Sequence, residues 1–79
     1  LQSGDYTKAI EHAQQKMEEL KNLEYDSVVS GSDSTGIFRR RWVVDEDVPM
    51  DDMKRITTWV RWKTGSRDSV DLVTYIGRR

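Results

Sequence analysis

The stretch Asp5–Leu23, DYTKAIEHAQQKMEELKNL, decides the fold. It is the one long segment of the 79-residue chain with a single period. Tyr6, Ala9, Ile10, Ala13, Met17 and Leu20 recur at steps of three and four, which stacks them in one stripe along an α-helix. No Gly or Pro interrupts the stretch, and Ala, Gln, Lys, Met, Glu and Leu all favour helix. Ser3 or Asp5 is placed to cap the start. Lys8 with Glu11, Lys16 with Glu19, and Glu18 with Lys21 are spaced to pair on the wet flanks. The spacing predicts a helix over 5–23 with one dry face, and fraying over residues 1–4. The stripe lasts barely two heptads, too short to argue for a coiled-coil partner.

Outward from the helix, residues 24–36 have loop composition. Asp26 to Gly36, DSVVSGSDSTG, holds two Gly, four Ser, one Thr and two Asp, with Val28 and Val29 to tack it onto the core. Three period-2 segments follow. Ile37 to Asp45 reads as a first strand, with Phe38, Trp42 and Val44 on one face and Ile37, Arg39, Arg41 and Val43 on the other. Arg40 falls among the apolar set. Either its stem lies along the core edge with the guanidinium in water, or a bulge shifts the register. Glu46 to Asp52, with the single Pro and four acids, is a turn. Lys54 to Lys63 is the clearest strand: Ile56, Thr58, Val60 and Trp62 point inward, and Arg55, Thr57, Trp59, Arg61 and Lys63 outward. Thr64-Gly65-Ser66 reads as a hairpin loop. Ser69 to Ile76 is the third strand, with Val70, Leu72, Thr74 and Ile76 inward. The expected fold is therefore α+β, one helix laid on a three-stranded antiparallel meander in a single domain over 1–79.

A chain this short buries roughly 60% of its unfolded surface, so the core is thin. It has no Cys and one His, which excludes a disulfide framework and a Cys-based zinc site. No apolar run approaches the roughly 18 residues a membrane span needs, and no signal peptide is visible. Net charge is −1, but it is unevenly placed. Residues 1–36 hold three Lys against seven acids, −4, and residues 37–79 hold ten Lys or Arg against seven acids, +3. The plain explanation is an acidic helix beside a basic sheet.

No catalytic constellation, phosphate loop or nucleophile elbow is present, so no enzyme, cofactor or metal is expected. His12 sits beside the helical stripe without a second ligand and reads as solvated. The acids Asp45, Glu46, Asp47, Asp51 and Asp52 lack calcium-loop spacing and enclose Pro49. The alternative from another class is nucleic acid. Arg39, Arg40, Arg41, Arg55, Arg61, Lys63 and Arg67 interleave with Trp42, Trp59, Trp62 and Tyr75, the side chains that bind single strands by stacking and phosphate pairing. Against it, Trp42 and Trp62 belong to the core, an Arg laid over Trp59 shields it without a ligand, and the overall charge is near neutral. That leaves Arg39, Arg41, Trp59, Arg61 and Tyr75 as the candidate surface, suited to an acidic protein partner.

Ala9-Ile10-x-x-Ala13-Gln14-Gln15-Lys16-Met17-Glu18-Glu19-Leu20 resembles the stretch after the membrane span in type IV minor pilins of the V type, where a run close to A-Q-x-x-M-E-x-L occurs. It is also similar to the I-type minor pseudopilins of type II secretion. Phe38-Arg39-Arg40-Arg41-Trp42-x-Val44, then Lys54-Arg55-Ile56-Thr57-x-x-Val60-x-Trp62, resemble the V-type pattern more closely. Val70-x-Leu72-x-Thr74-Tyr75 is similar to its ending. The resemblance implies a prepilin cleaved by a dedicated peptidase and held in the inner membrane by a hydrophobic helix that runs into the amphipathic one. It implies a periplasmic domain that enters a pilus or pseudopilus through contacts with other minor pilins, the major pilin or pseudopilins. The family's cleavage site, membrane span and assembly acid do not occur in this sequence. The expectation is thus a soluble segment without its anchor, and no functional residue is carried over from the family.

Overall fold

The computed structural model describes residues 2–62 and 69–78. The expected hairpin loop Thr64-Gly65-Ser66 and the basic residues Lys63 and Arg67 lie outside the described residues. Helix α1 spans Gln2–Lys21, three residues earlier at its start and two shorter at its end than the periodicity suggests. A 3₁₀ turn at Tyr25–Ser27 follows. Four strands complete the chain: β1 Gly31–Thr35, β2 Phe38–Glu46, β3 Met53–Trp62 and β4 Ser69–Gly77. They form one antiparallel sheet in the order β1-β2-β3-β4, with α1 lying chiefly over β3 and β4.

The fold is α+β with its helix on an antiparallel sheet, but the sheet has four strands rather than three. The extra strand is Gly31–Thr35, inside the segment that composition marks as loop. GSDST has low strand propensity and buries no large apolar side chain, so neither composition nor alternation betrays it. Pairing with β2 makes it a strand. Thr35 opposes Phe38 across the two-residue turn Gly36–Ile37. Gly36 alone takes a positive φ there, +59°, the pattern of a type II′ hairpin turn. Gly31 lies against Trp42, and a Cβ on it would meet the indole at 2.8 Å. Ile37 falls in this turn instead of opening β2.

The dry side of the sheet is built as the alternation of β3 requires. Ile56, Thr58, Val60 and Trp62 are buried, and α1 covers them with Ala9, Ala13, Met17 and Leu20. Thr58 Oγ1 donates to Met17 Sδ at 3.4 Å, so its buried hydroxyl has a partner. Tyr6, at the end of the helical stripe, stays half exposed with its ring edge-on to Trp62 at 6.2 Å. Val28 is buried and tacks the segment before β1 onto the core, whereas Val29 is exposed. Trp42 is half-buried, and its Nε1 donates to the Val29 carbonyl at 3.0 Å.

Lys16 and His12 depart from their expected surroundings, and Lys54, which the sequence reading leaves on neither face, is buried as well. Lys16 is buried rather than on a wet flank. Its Nζ lies 2.9 Å from Glu19, 3.6 Å from Asp33 and 4.1 Å from the Trp42 ring centre. Lys54, in phase with Ile56, is 3% exposed. It donates to the carbonyls of Tyr25 and Val28 at 2.6 and 3.0 Å and so pins the 3₁₀ turn. His12 is half-buried rather than fully solvated, its ring 4.7 Å from that of Phe38. Glu18 and Lys21 approach to 3.9 Å as their spacing suggests.

Arg40 resolves its conflict in neither expected way. There is no bulge, since β2 pairs residue for residue with both neighbours. The guanidinium is not in water either. Nε and Nη2 donate to the two Asp33 carboxylate oxygens at 2.7 Å each, and Nη1 donates to the His12 carbonyl at 3.1 Å. The strand that composition hides carries the counter-ion for the charge on the apolar face.

Candidate functional site

Strand alternation places every second residue of the sheet on the side away from α1. Arg39, Arg41, Trp59, Arg61 and Tyr75 all lie there, by their register with one another. Arg39 stands directly opposite Arg61, and Arg41 directly opposite Trp59. β1 adds Ser34 beside Arg39 and Ser32 beside Arg41. Together these residues line an open groove of about 680 Å³. Tyr75 is set apart from them. It opposes Arg55, four residues along β3 from Trp59, which is about 13 Å at strand rise. It lines a second groove of about 600 Å³ with Tyr25, Asp26, Ile76 and Arg78. Four of the five candidate residues are thus brought together and the fifth is not.

The electrostatics of the cluster are unusual for a protein surface. Among the described residues no carboxylate lies within ion-pair distance of Arg39, Arg41 or Arg61. Like charges directly opposite in a sheet oppose folding, so the Arg39–Arg61 pair stands against stability. Arg41 lies over Trp59 at 5.3 Å from the ring centre, the shielding expected of an exposed Trp. Trp59 nonetheless remains 38% exposed, against 4% for Trp62. Three guanidinium groups and an indole lining one groove supply hydrogen-bond donors for carboxylate or phosphate and an apolar ring for contact.

The other basic and aromatic candidates among the described residues are used elsewhere. Arg40, Trp42 and Trp62 belong to the helix side of the sheet. Arg55 pairs with Asp45, its Nη2 and Nε at 3.1 and 3.2 Å from one carboxylate oxygen. Arg78 bridges Asp26 at 3.2 Å and Asp52 at 3.4 Å, and stacks on Tyr25 at 4.3 Å. Those contacts raise its pKa further, with the hydrogen bond to Asp26 as the largest cause.

The acidic turn between β2 and β3 holds itself together. The Asp47 carboxylate accepts the Asp52 backbone N–H at 3.0 Å, and the Asp47 N–H donates to the Met53 carbonyl at 2.7 Å. Asp47 and Asp52 both take positive φ, 57° and 63°, a conformation Asp tolerates better than most residues.

Asp33 was not singled out by sequence, yet it anchors the other side of the groove wall. Its hydrogen bonds from Arg40, and secondarily the charges of Arg40 and Lys16, hold its carboxyl below the usual carboxylate range. The signal was available: a charge on an apolar face needs an acid within reach, and Asp33 sits opposite Arg40 across a tight turn. No helix among the described residues is long and apolar enough to cross a membrane. Comparison with protein-family models, curated protein sequences and solved structures finds no match to this chain.

Proposed function

We propose that this chain is the globular domain of a minor pilin of the V type, a structural subunit that acts by assembly with other pilins and not by catalysis. In this reading the domain faces the periplasm. A hydrophobic helix running into α1 anchors it in the inner membrane before it passes into the pilus. The sequence resemblance across α1, β2, β3 and β4 motivates the assignment, and an N-terminal helix on one face of an antiparallel sheet is compatible with it. A type II secretion pseudopilin would use the same surfaces in a different machine.

The observation that carries the docking role is the cluster of Arg39, Arg41 and Arg61 around Trp59, left without described counter-ions on the uncovered face of the sheet. Aromatic and Arg side chains are enriched in protein contacts, and the acidic stretch of a neighbouring pilin would neutralise the cluster. Co-purification with the domains of neighbouring minor pilins tests this. Trp59→Ala and Arg61→Glu are each expected to lose the partner while keeping the fold; if both assemble as well as the parent, this face is not the interface. In the coding sequence ahead of Leu1, a short basic leader, a cleavage site and roughly 20 apolar residues are expected.

The same cluster favours a second reading, single-stranded nucleic acid, because stacking on Trp59 with phosphate pairing by three Arg suits that ligand too. The net charge of −1 and the acidic helix half oppose approach of a polyanion. Titration with single-stranded DNA at about 0.15 M salt separates the two: tight, saturable binding would favour nucleic acid over the pilin assignment.

A further inference from the structure

The two edges of the sheet are differently built. β1 has five residues, GSDST, and presents an inward-pointing charge, Asp33. Short length, polar side chains and an inward charge are the devices that keep an edge from recruiting another strand. β4 has neither the short length nor an inward charge. It runs nine residues, SVDLVTYIG, with no Lys, Arg or Pro and a single acid, Asp71. Its backbone pairs with β3 on one side only, so the N–H and C=O groups of its other side have no ladder partner among the described residues. Apolar surface flanks that edge on both faces. Leu72 and Ile76 are half-buried on the helix side, and Val73 and Tyr75 are 50% and 49% exposed on the outer side.

We propose that β4 joins two copies of this chain, edge to edge and antiparallel, into one eight-stranded sheet. The sequence of β4 is self-complementary about Val73. A two-fold axis through that residue sets Val70 against Ile76 and Leu72 against Thr74 on the helix side. It sets Asp71 against Tyr75, and Val73 against itself, on the outer side. Every residue keeps its own face in this register, and no like charges meet. A one-residue slip would place apolar residues of one copy against outward residues of the other. The contact is isologous and therefore closes as a dimer instead of growing into a fibre. It leaves the Arg39–Arg41–Trp59–Arg61 groove open in both copies and is independent of the proposed function.

Charge swapping at the axis tests the pairing, because Val73 of each copy meets Val73 of the other. The parent is expected to sediment as a dimer at high concentration and to dissociate on dilution. Val73→Lys and Val73→Glu should each weaken the dimer by about tenfold or more through like-charge opposition, and an equimolar mixture should restore it as a heterodimer. Both substitutions fall at an exposed edge position, and circular dichroism reports whether each variant folds. The chain has no Cys, so Val73→Cys gives a second readout. Directly opposed residues lie within disulfide reach, so this variant should oxidise to a covalent dimer, whereas Ser34→Cys on the opposite edge should not. A parent that stays monomeric at all concentrations overturns the proposal. So does a dimer indifferent to Val73→Lys, or a mixture of the charged variants that fails to associate.

Discussion

Arg39, Arg40 and Arg41 are three consecutive residues of one type, and the sheet gives them opposite fates. Arg40 points toward α1, where its side chain is 10% exposed, Nε and Nη2 are bound by Asp33, and Nη1 by the His12 carbonyl. Arg39 and Arg41 point away, toward Arg61 and Trp59, with no described carboxylate. On the helix side, charge is tolerated only where a carboxylate or backbone carbonyls hold it, because an unsatisfied buried charge costs several kcal/mol. On the outer side, water screens the charge, and like charges are left facing one another at a small loss. One face is organised for folding, and the other is free to be organised for contact.

The two tryptophans give the largest test of that difference. Trp62 is buried beside Phe38 and Val60, so Trp62→Ala is expected to lose about 3–5 kcal/mol, most of what a thin core provides. Trp59→Ala should cost clearly less, about 1 kcal/mol, since Trp59 lies on the outer face and is 38% exposed. Urea melts of the two variants compare them directly. A Trp59→Ala loss as large as that of Trp62→Ala would erase the distinction between the faces.

The arginines give a test of intermediate size. Arg40→Met removes two charged hydrogen bonds from Asp33, and the expected loss is roughly 1–2 kcal/mol, reduced because the carboxylate remains partly in water. Adding Asp33→Thr should recover part of that loss, because the remaining charge no longer lacks its partner. Arg41→Ala on the outer face should be near neutral. If Arg40→Met proves as harmless as Arg41→Ala, pairing is not what distinguishes the two sides.

These expectations also mark how far the sequence could be read. The helix, β2, β3 and β4 were legible because each buries apolar residues at its own period, and the helix side of the core followed from that. β1 was hidden because a strand that buries no apolar side chain leaves no periodic trace. Lys16 is misplaced by the sequence reading, and Lys54 left unplaced, for a related reason. Each lies in phase with the buried set, but a charge is ordinarily assigned to water, and only the structure supplies the carbonyls and carboxylates that hold it. The outer residues were found by alternation alone. Their separation into a cluster of four and a distant Tyr75 depended on strand register, which alternation does not fix.

A smaller effect follows from Asp33 as pH changes. Its folded pKa is depressed by the hydrogen bonds from Arg40, so its contribution to stability is complete above the ordinary carboxylate pKa, about 3.9. The contribution is lost as pH falls through the folded value. Melts of the parent and Asp33→Asn should differ by a constant amount from pH 7 to about pH 5, and the difference should narrow on further acidification. A difference that widened in acid would mean the pairing does not favour the charged carboxylate.

The smallest effect should carry the opposite sign. Arg39 and Arg61 are directly opposite on β2 and β3, and a like-charge pair in that position costs about 0.2–1 kcal/mol. Arg39→Glu replaces repulsion with attraction, so the variant should be more stable than the parent by roughly that amount at low salt. The gain should largely vanish near 1 M salt, where the screening length falls to about 3 Å. The same substitution should weaken binding of an acidic partner, since it removes one of three converging guanidinium groups and adds a repelling carboxylate. Stability rising while docking falls is the signature of a residue kept for contact rather than for folding. If Arg39→Glu destabilises the domain instead, Arg39 contributes to the fold as Arg40 does, and the outer face is part of the scaffold.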